Sequence, residues 1–401
     1  MKIVLISNMT PASENIRGTS ALPYHLMIGR PKNIDMTIFS FNLNHLSTEK
    51  IAEVEKELGV KIHLLSLNNW QIFFLLSRIN LLLRVFLKYP ILYYLRLSSS
   101  QLQTVDSIEP DLIWVYGEEM CGVANQFMQC KRIHTLPDSE ALYYYRMLGR
   151  RFVINDFRKF LSSFLMYRKY LRLEKHFASK NICYHLVGEK DSGFLQNSNP
   201  DIDAKFIRHP HYDIASPQKV IKFSSPKIKL LIAGQYNFYM KESTDELIRL
   251  LEDKRIVEKL SPQYTISFLG RGWEMHADNM TKAGYEVNHM VFAENYVEEI
   301  RNHDIQITPI SIGTGTKGKV LDAIANGLLV IGTSYALENI AVKNGVSCVE
   351  YQKAGEAVQV LLDIPNNISY YEQMAELGRN KVLTVHARKK CAAELFSLNE
   401  L

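Results

Sequence analysis

The chain has 401 residues, too many for one ordinary domain of roughly 100–200 residues, and its 47% hydrophobic, 22% charged composition excludes a disordered, collagenous or coiled-coil protein. A formal charge of +5 is too mild to imply nucleic acid, but it is uneven: residues 1–225 carry 28 basic and 20 acidic side chains (+8), and residues 226–401 carry 19 and 22 (−3). The first half holds the positive field, which points to acidic partners such as phosphates or anionic lipid.

Lys2–Ser7 is an apolar run too short for a signal-peptide core and predicts a first β-strand. A polar loop ending in Gly18-Thr19-Ser20 leads into a helical pattern over 21–28. Further strands are predicted at 36–41, 61–65, 112–116, 132–136 and 184–187. No apolar run reaches the ~18 residues of a membrane span. The longest, Trp70 to Tyr94, is broken by Arg78, Arg84 and Lys88. Turn residues between Tyr212 and Pro226 mark a domain boundary. Lys227–Gly234 then repeats the opening pattern, followed by a helix over 243–251 and strands at 265–270, 305–309, 329–333 and 347–351. Helical patterns lie at 319–326 and 354–362, and a last helix is expected over 381–398. The alternation predicts two α/β domains with parallel sheets, whose ligands collect outside the carboxyl ends of the strands. Five cysteines without a C-x-x-C pair argue against a disulfide framework or a zinc site and fit a reducing cytoplasm.

The most informative stretch follows the strand ending at Pro309. Gly313, Gly315 and Gly318 let backbone approach a ligand, Thr314 and Thr316 add hydroxyls, and Lys317 and Lys319 place positive charge where a helix begins. Free N–H groups at a helix start make an anion site, and Asp322, one turn inside, is placed to bond a ribose hydroxyl. An ordinary glycine-rich βα turn is the competing explanation. The loop is not a Walker A sequence, and its G-x-G-x-x-G spacing lies too late in its domain for a dinucleotide fingerprint.

Lys319-Val-Leu-Asp-Ala-Ile-Ala-Asn-Gly-Leu-Leu-Val-Ile331 resembles the "K-x-L-E-A-x-A-x-G-x-P-V-V" donor-binding signature of GT-B glycosyltransferases, especially the retaining family 4 and its relatives. Thr333-Ser-Tyr-Ala-Leu-Glu-Asn-Ile340 is similar to that family's T-x-x-G-x-E-G-I element. The resemblance implies two Rossmann-like domains facing across a cleft: an acceptor domain over 1–213, a nucleotide-sugar domain over 226–380, and a helix in 381–401 returning towards the first. The family's E-x7-E pair falls on Thr314 and Asp322, so the acid implied to grip the ribose is shortened and the one near the sugar is missing.

The resemblance implies further site residues. Gly234, Gln235 and Lys241 stand where the family carries a Gly-Arg…Lys set for the diphosphate. Arg271, between Gly270 and Gly272, is either a substitute for the absent arginine or a solvent-exposed turn residue. Gly18 lies in a loop implied to face the donor phosphate, although a plain N-cap explains Thr19 or Ser20 equally well. Asp138, after the 132–136 strand, occupies the position of a residue pointing at the reacting sugar, as general base or as a stabiliser of positive charge. Capping of the next helix is its structural alternative, Glu118 and Glu119 are rival carboxylates, and His134 inside the strand reads as core.

The expected activity is transfer of a sugar from a nucleotide-sugar substrate to an acceptor hydroxyl, with Asp138 and Lys317 as catalytic groups and no resident cofactor or metal. Basic-aromatic stretches over 70–96 and 146–175 are either domain helices or surfaces for an anionic membrane. They favour a cytoplasmic enzyme visiting the inner leaflet to extend a lipid-linked glycan, with no nucleic-acid partner. A non-catalytic subunit binding a partner enzyme or glycan, and a nucleotide-sugar epimerase, stay open as alternatives.

Overall fold

The computed structural model describes residues 1–13, 20–76, 85–150, 156–214 and 220–398. The chain divides into two compact units, Met1–Pro210 with Arg388–Leu401, and His211–Ala387. It therefore leaves the first unit at Pro210, just before the turn-rich segment flagged in the sequence, and returns at Arg388.

Unit 1 is built on a seven-stranded sheet in the order β3-β2-β1-β4-β5-β6-β7. Its strands are β1 (Lys2–Ser7), β2 (Asp35–Ser40), β3 (Lys61–Leu64), β4 (Leu112–Tyr116), β5 (Arg132–Leu136), β6 (Ile182–Leu186) and β7 (Asp203–Phe206), and every neighbouring pair is parallel. Side chains alternate across a strand, so a sheet covered on both faces needs two cores. Val4, Ile6, Ile113 and Val115 enter one, and Ile3, Leu5, Leu112 and Trp114 the other. The helix Arg388–Ser397 closes the second core with Leu395 and Phe396, whose ring meets Trp114 edge-on at 5.5 Å.

Unit 2 has a six-stranded parallel sheet in the order β10-β9-β8-β11-β12-β13. These strands are β8 (Ile228–Ala233), β9 (Tyr264–Leu269), β10 (Glu286–Met290), β11 (Ile305–Thr308), β12 (Leu329–Thr333) and β13 (Val349–Tyr351). Ile228, Leu230 and Ile232 face one core, and Leu231 and Ala233 the other.

The structure departs from the sequence expectation at the edges. β7 and β10 were not expected, because an edge strand needs burial on neither face and their sequences, Asp203-Ala-Lys-Phe206 and Glu286-Val-Asn-His-Met290, contain no apolar run. The single last helix expected over 381–398 is two: Ile368–Val385 in unit 2 and Arg388–Ser397 in unit 1. Neither Gly nor Pro breaks it. Instead the backbone turns aside at His386 and Ala387, where His386 O accepts from His211 N at 2.7 Å and Ala387 bridges to His211.

Both sheets reverse their winding once, between β1 and β4 and between β8 and β11. Such switch points open a crevice at the carboxyl ends of the strands, where the loops diverge to opposite faces.

Candidate functional site

In unit 2 the two switch-point loops are Gly234–Met240, after β8, and Pro309–Lys317, after β11. Ser311 joins them. Its N–H donates to Tyr239 O at 2.6 Å, and its Oγ accepts from Ser243 N at 2.9 Å beside Ser243 Oγ at 3.1 Å. The sequence reading gave Ser311 no role. Its only local signal is a hydroxyl between two isoleucines.

Lys317 folds over its own loop. Its Nζ donates to Thr314 O at 2.5 Å and Gly315 O at 3.0 Å, and Asn339 Nδ2 also donates to Gly315 O at 2.9 Å. A Cβ on Gly313 would stand 2.8 Å from Lys317 Cε, so the absence of a side chain there is what lets the lysine lie down. Thr314, Thr316 and Lys317 are half-buried, whereas Gly318 is exposed. Lys317 is the N-cap of the helix Gly318–Ala325, whose first turn has no side-chain cap and no acidic residue. The start of this helix has no side-chain cap, and the Lys317 ammonium lies on the carbonyls of the loop just before it.

Lys241 opens the helix Lys241–Leu251 on the other loop. Its Nζ donates to Tyr236 OH and to Asp245 Oδ2, both at 2.9 Å, and Tyr236 OH donates to Asp245 Oδ1. Those hydrogen bonds, Tyr236 first, hold the Lys241 proton more tightly than usual. Gln235 and Arg271 are exposed. Arg271 follows β9, on the far side of β8 from β11, so it sits one strand from the switch point. Its carbonyl accepts from Tyr236 N at 2.9 Å, and a Cβ on Gly270 would stand 2.1 Å from Gly234 O, so the β8 and β9 ends are in direct contact. Gly270 also has φ +137°, a conformation L side chains rarely adopt.

Asp322 is a quarter exposed and approaches the buried His211, with Oδ1 3.2 Å from Nε2. Asn326, one turn on, donates from Nδ2 to Asp322 O and to Tyr212 OH, both at 2.8 Å. The sequence reading made no claim for His211.

In unit 1, Gly18 lies outside the described residues. Asp138 sits half-buried at the end of β5, and the cap of the following helix Glu140–Leu148 is Ser139, whose Oγ accepts from Leu142 N at 3.1 Å. Around this turn the structure gathers carboxylates that local sequence did not connect. Ser139 N donates to Asp191 Oδ1 at 3.0 Å, Glu140 N to Glu118 Oε2 at 3.0 Å, and Ala141 N to Glu174 Oε1 at 3.2 Å. Ser139 Oγ donates to the same Glu174 oxygen at 2.7 Å. Glu119 instead accepts from Leu92 N at 3.1 Å and from Tyr170 OH.

Burial, and then the neighbouring Glu174, raise the Glu118 carboxyl well above the usual carboxylate range. Burial also pushes Glu174 up to about 7 and Glu140 up to about 8. Burial side by side disfavours charge on both Glu118 and Glu174, so the fold favours their protonated forms. His134 is fully buried, 2.8 Å from Gly117 O, and desolvation pulls it down to about 4, which keeps it neutral in the core.

Among the described residues, no helix is long and apolar enough to cross a membrane, and no cluster of His, Cys, Asp and Glu is placed to hold a metal ion. None of the five cysteines is in a disulfide. No family model and no curated protein matches the chain. Solved structures do match it. HepE from Anabaena, in complex with UDP and glucose, is similar at 12% identity and TM-score 0.63, with all of both chains covered. Sucrose-phosphate synthase from Thermosynechococcus elongatus is similar at 12% identity and TM-score 0.63, covering all of this chain and 98% of that one. The lipopolysaccharide outer core galactosyltransferase WaaB is similar at 12% identity and TM-score 0.62, with all of both chains covered. Two parallel α/β sheets, each with one switch point, and full-length likeness to these structures identify the chain as a GT-B fold.

Proposed function

We propose that the protein is a glycosyltransferase that moves a sugar from a nucleotide-diphosphate sugar to an acceptor hydroxyl. The observation that carries this reading is the glycine–lysine loop lying on the switch point of the unit 2 sheet. Lys317, the uncapped N–H groups of the 318–325 helix and Lys241 meet the negative charge of the diphosphate as it leaves. Gly234, Gln235, Thr314, Gly315 and Thr316 line the same loops, Arg271 adds a more distant cation, and Asp322 bonds the ribose. Asp138 takes the proton from the acceptor hydroxyl as its oxygen bonds to the sugar carbon and the bond to the diphosphate breaks. Similarity to structures holding UDP and UDP-glucose supports a UDP-sugar as the first donor to try.

A screen of UDP-, GDP-, ADP- and CMP-sugars, read by nucleotide release, tests the assignment, and repeating it with a chelator tests whether a cation is needed. Release from one donor that falls steeply in Lys317→Ala is the expected result. No binding of any nucleotide would turn the reading to a non-catalytic subunit, and epimer formation without transfer to an epimerase.

The acceptor we propose is a lipid-linked glycan reached at the inner face of the cell membrane. The helix Phe157–Glu174 exposes Phe157, Leu161 and Phe164, one above another at helical spacing, beside Arg158, Lys159 and Arg168. Trp70 and Phe86 in the other stretch are 72% and 83% exposed. Apolar rings beside cations suit an anionic interface, each cation contributing about 1 kcal/mol. Co-sedimentation with anionic vesicles at low salt, weakening as salt rises, is expected. Equal absence from anionic and neutral pellets would leave a soluble acceptor.

A further inference from the structure

We infer that His211 is a positioning residue for the nucleotide's ribose, holding the Asp322 carboxylate in place for the sugar hydroxyls. The inference rests on the reading of Asp322 as the ribose ligand, and it concerns a residue that no sequence motif singles out.

Asp322 is one methylene shorter than the glutamate of the resembling motif, so its reach depends on a fixed orientation. His211 supplies a fixed neighbour. Its side chain is only 2% exposed, against 25% for Asp322. Its Nδ1 lies 2.7 Å from Tyr212 O, and a carbonyl only accepts, so this nitrogen carries the hydrogen. Nε2 then approaches Asp322 Oδ1 at 3.2 Å, within ion-pair distance though off the straight hydrogen-bond line, and it has no hydrogen-bond partner among the described residues. With Nδ1 donating to Tyr212 O, Nε2 holds the carboxylate when the ring carries a proton on both nitrogens, and without a fixed hydrogen bond it leaves that group free to turn as a diol arrives.

The backbone of His211 is equally fixed. Its N–H donates to His386 O at 2.7 Å, and the residue bridges to Ala387. A second tie runs in parallel: Tyr212 OH accepts from Asn326 Nδ2, and Asn326 Oδ1 accepts from Arg301 Nε at 2.8 Å. The segment carrying His211 is thus bonded to the end of the 318–325 helix at Asn326 and to the chain at His386 and Ala387. The His211 side chain is the part of this arrangement that approaches the carboxylate expected to meet the ligand.

The experiment is isothermal titration of the full chain with UDP, GDP and ADP. It is then repeated with the 2′-deoxy and 3′-deoxy forms of whichever binds most tightly. The unchanged protein is expected to prefer the ribose form by about tenfold or more, the size of a hydrogen bond to a charged group. His211→Asn keeps a donor for Tyr212 O but is too short to reach Asp322, and should bring that preference close to one while barely moving the deoxy affinities. His211→Gln, long enough to offer an amide N–H to the carboxylate, should restore most of it. Asp322→Asn is the control for the underlying reading. If Asp322→Asn abolishes the preference and His211→Asn keeps it, His211 has no part in ribose binding. If His211→Asn weakens ribose and deoxy forms equally, His211 is only structural support. A preference that survives Asp322→Asn, or no binding of any of the three nucleotides, removes the ribose reading and the inference with it.

Discussion

The carboxyl-end loops of the two sheets differ in charge, and each differs from the half of the chain that carries it. Residues 1–225 are positive by formal charge, yet the turn after β5 gathers Glu118, Asp138, Glu140, Glu174 and Asp191. Residues 226–401 are negative, yet the loops after β8 and β11 present Lys241, Lys317 and Lys319 among glycines and threonines. Net charge is set mostly by solvated helix faces, such as the one carrying Arg158 and Arg168 in the 157–174 helix. The chemistry of a site is set by the few groups its loops desolvate. A half's net charge and its site's charge are therefore independent quantities.

On the proposed function the two edges do different work. A cluster of carboxyls that holds a proton near neutrality suits proton transfer. A loop with uncapped N–H groups and ammonium ions suits a leaving phosphate. Asp138→Asn tests the first and should have the largest effect, a loss of kcat of about 10²–10⁴-fold with nucleotide binding unchanged. Full activity in that variant would make the acidic edge purely a helix cap. Lys317→Ala tests the second, with a loss of about 10²–10³-fold in kcat and weaker nucleotide binding, because loop shape and charge go together.

The pH dependence of stability sharpens the comparison, since Glu118, Glu140 and Glu174, the carboxyls raised by burial among the described residues, lie in unit 1. Folding raises the Glu174 carboxyl from 4.5 to about 7, so the fold favours its protonated form. That contribution is whole below about 4.5 and is lost as pH rises through about 7, an effect on the order of 3 kcal/mol. The urea midpoint of unit 1 should fall between about pH 5 and pH 8. Glu174→Gln, which keeps an oxygen for Ser139 and Ala141, should flatten the curve. A slope unchanged in this variant would place the titration elsewhere. The smallest effect belongs to Lys241→Ala, less than about tenfold in donor KM, because Lys241 is well exposed and its charge is shared with Asp245. A loss as large as that of Lys317→Ala would show that the two switch loops carry the phosphate equally.

What local sequence determined is what local physics determines. β1, β4, β5 and β12 fall on the residues expected, since strands buried on both faces are continuous apolar runs. The glycine–lysine loop was equally legible, because glycine spacing and a helix start are neighbours in sequence. Tertiary structure alone decided the rest. Ser139 meets Asp191 across 52 positions and Glu174 across 35. Glu174 also lies in a basic, amphipathic stretch whose pattern fits a domain helix or a membrane surface alike, and it is completely buried. His211 and Asp322 likewise meet from distant segments, and the last helix breaks where His386 turns to pair with His211. Periodicity and capping are properties of a few consecutive residues. Which carboxyls are buried together, and which histidine lies beside an aspartate, depends on segments that only folding brings close.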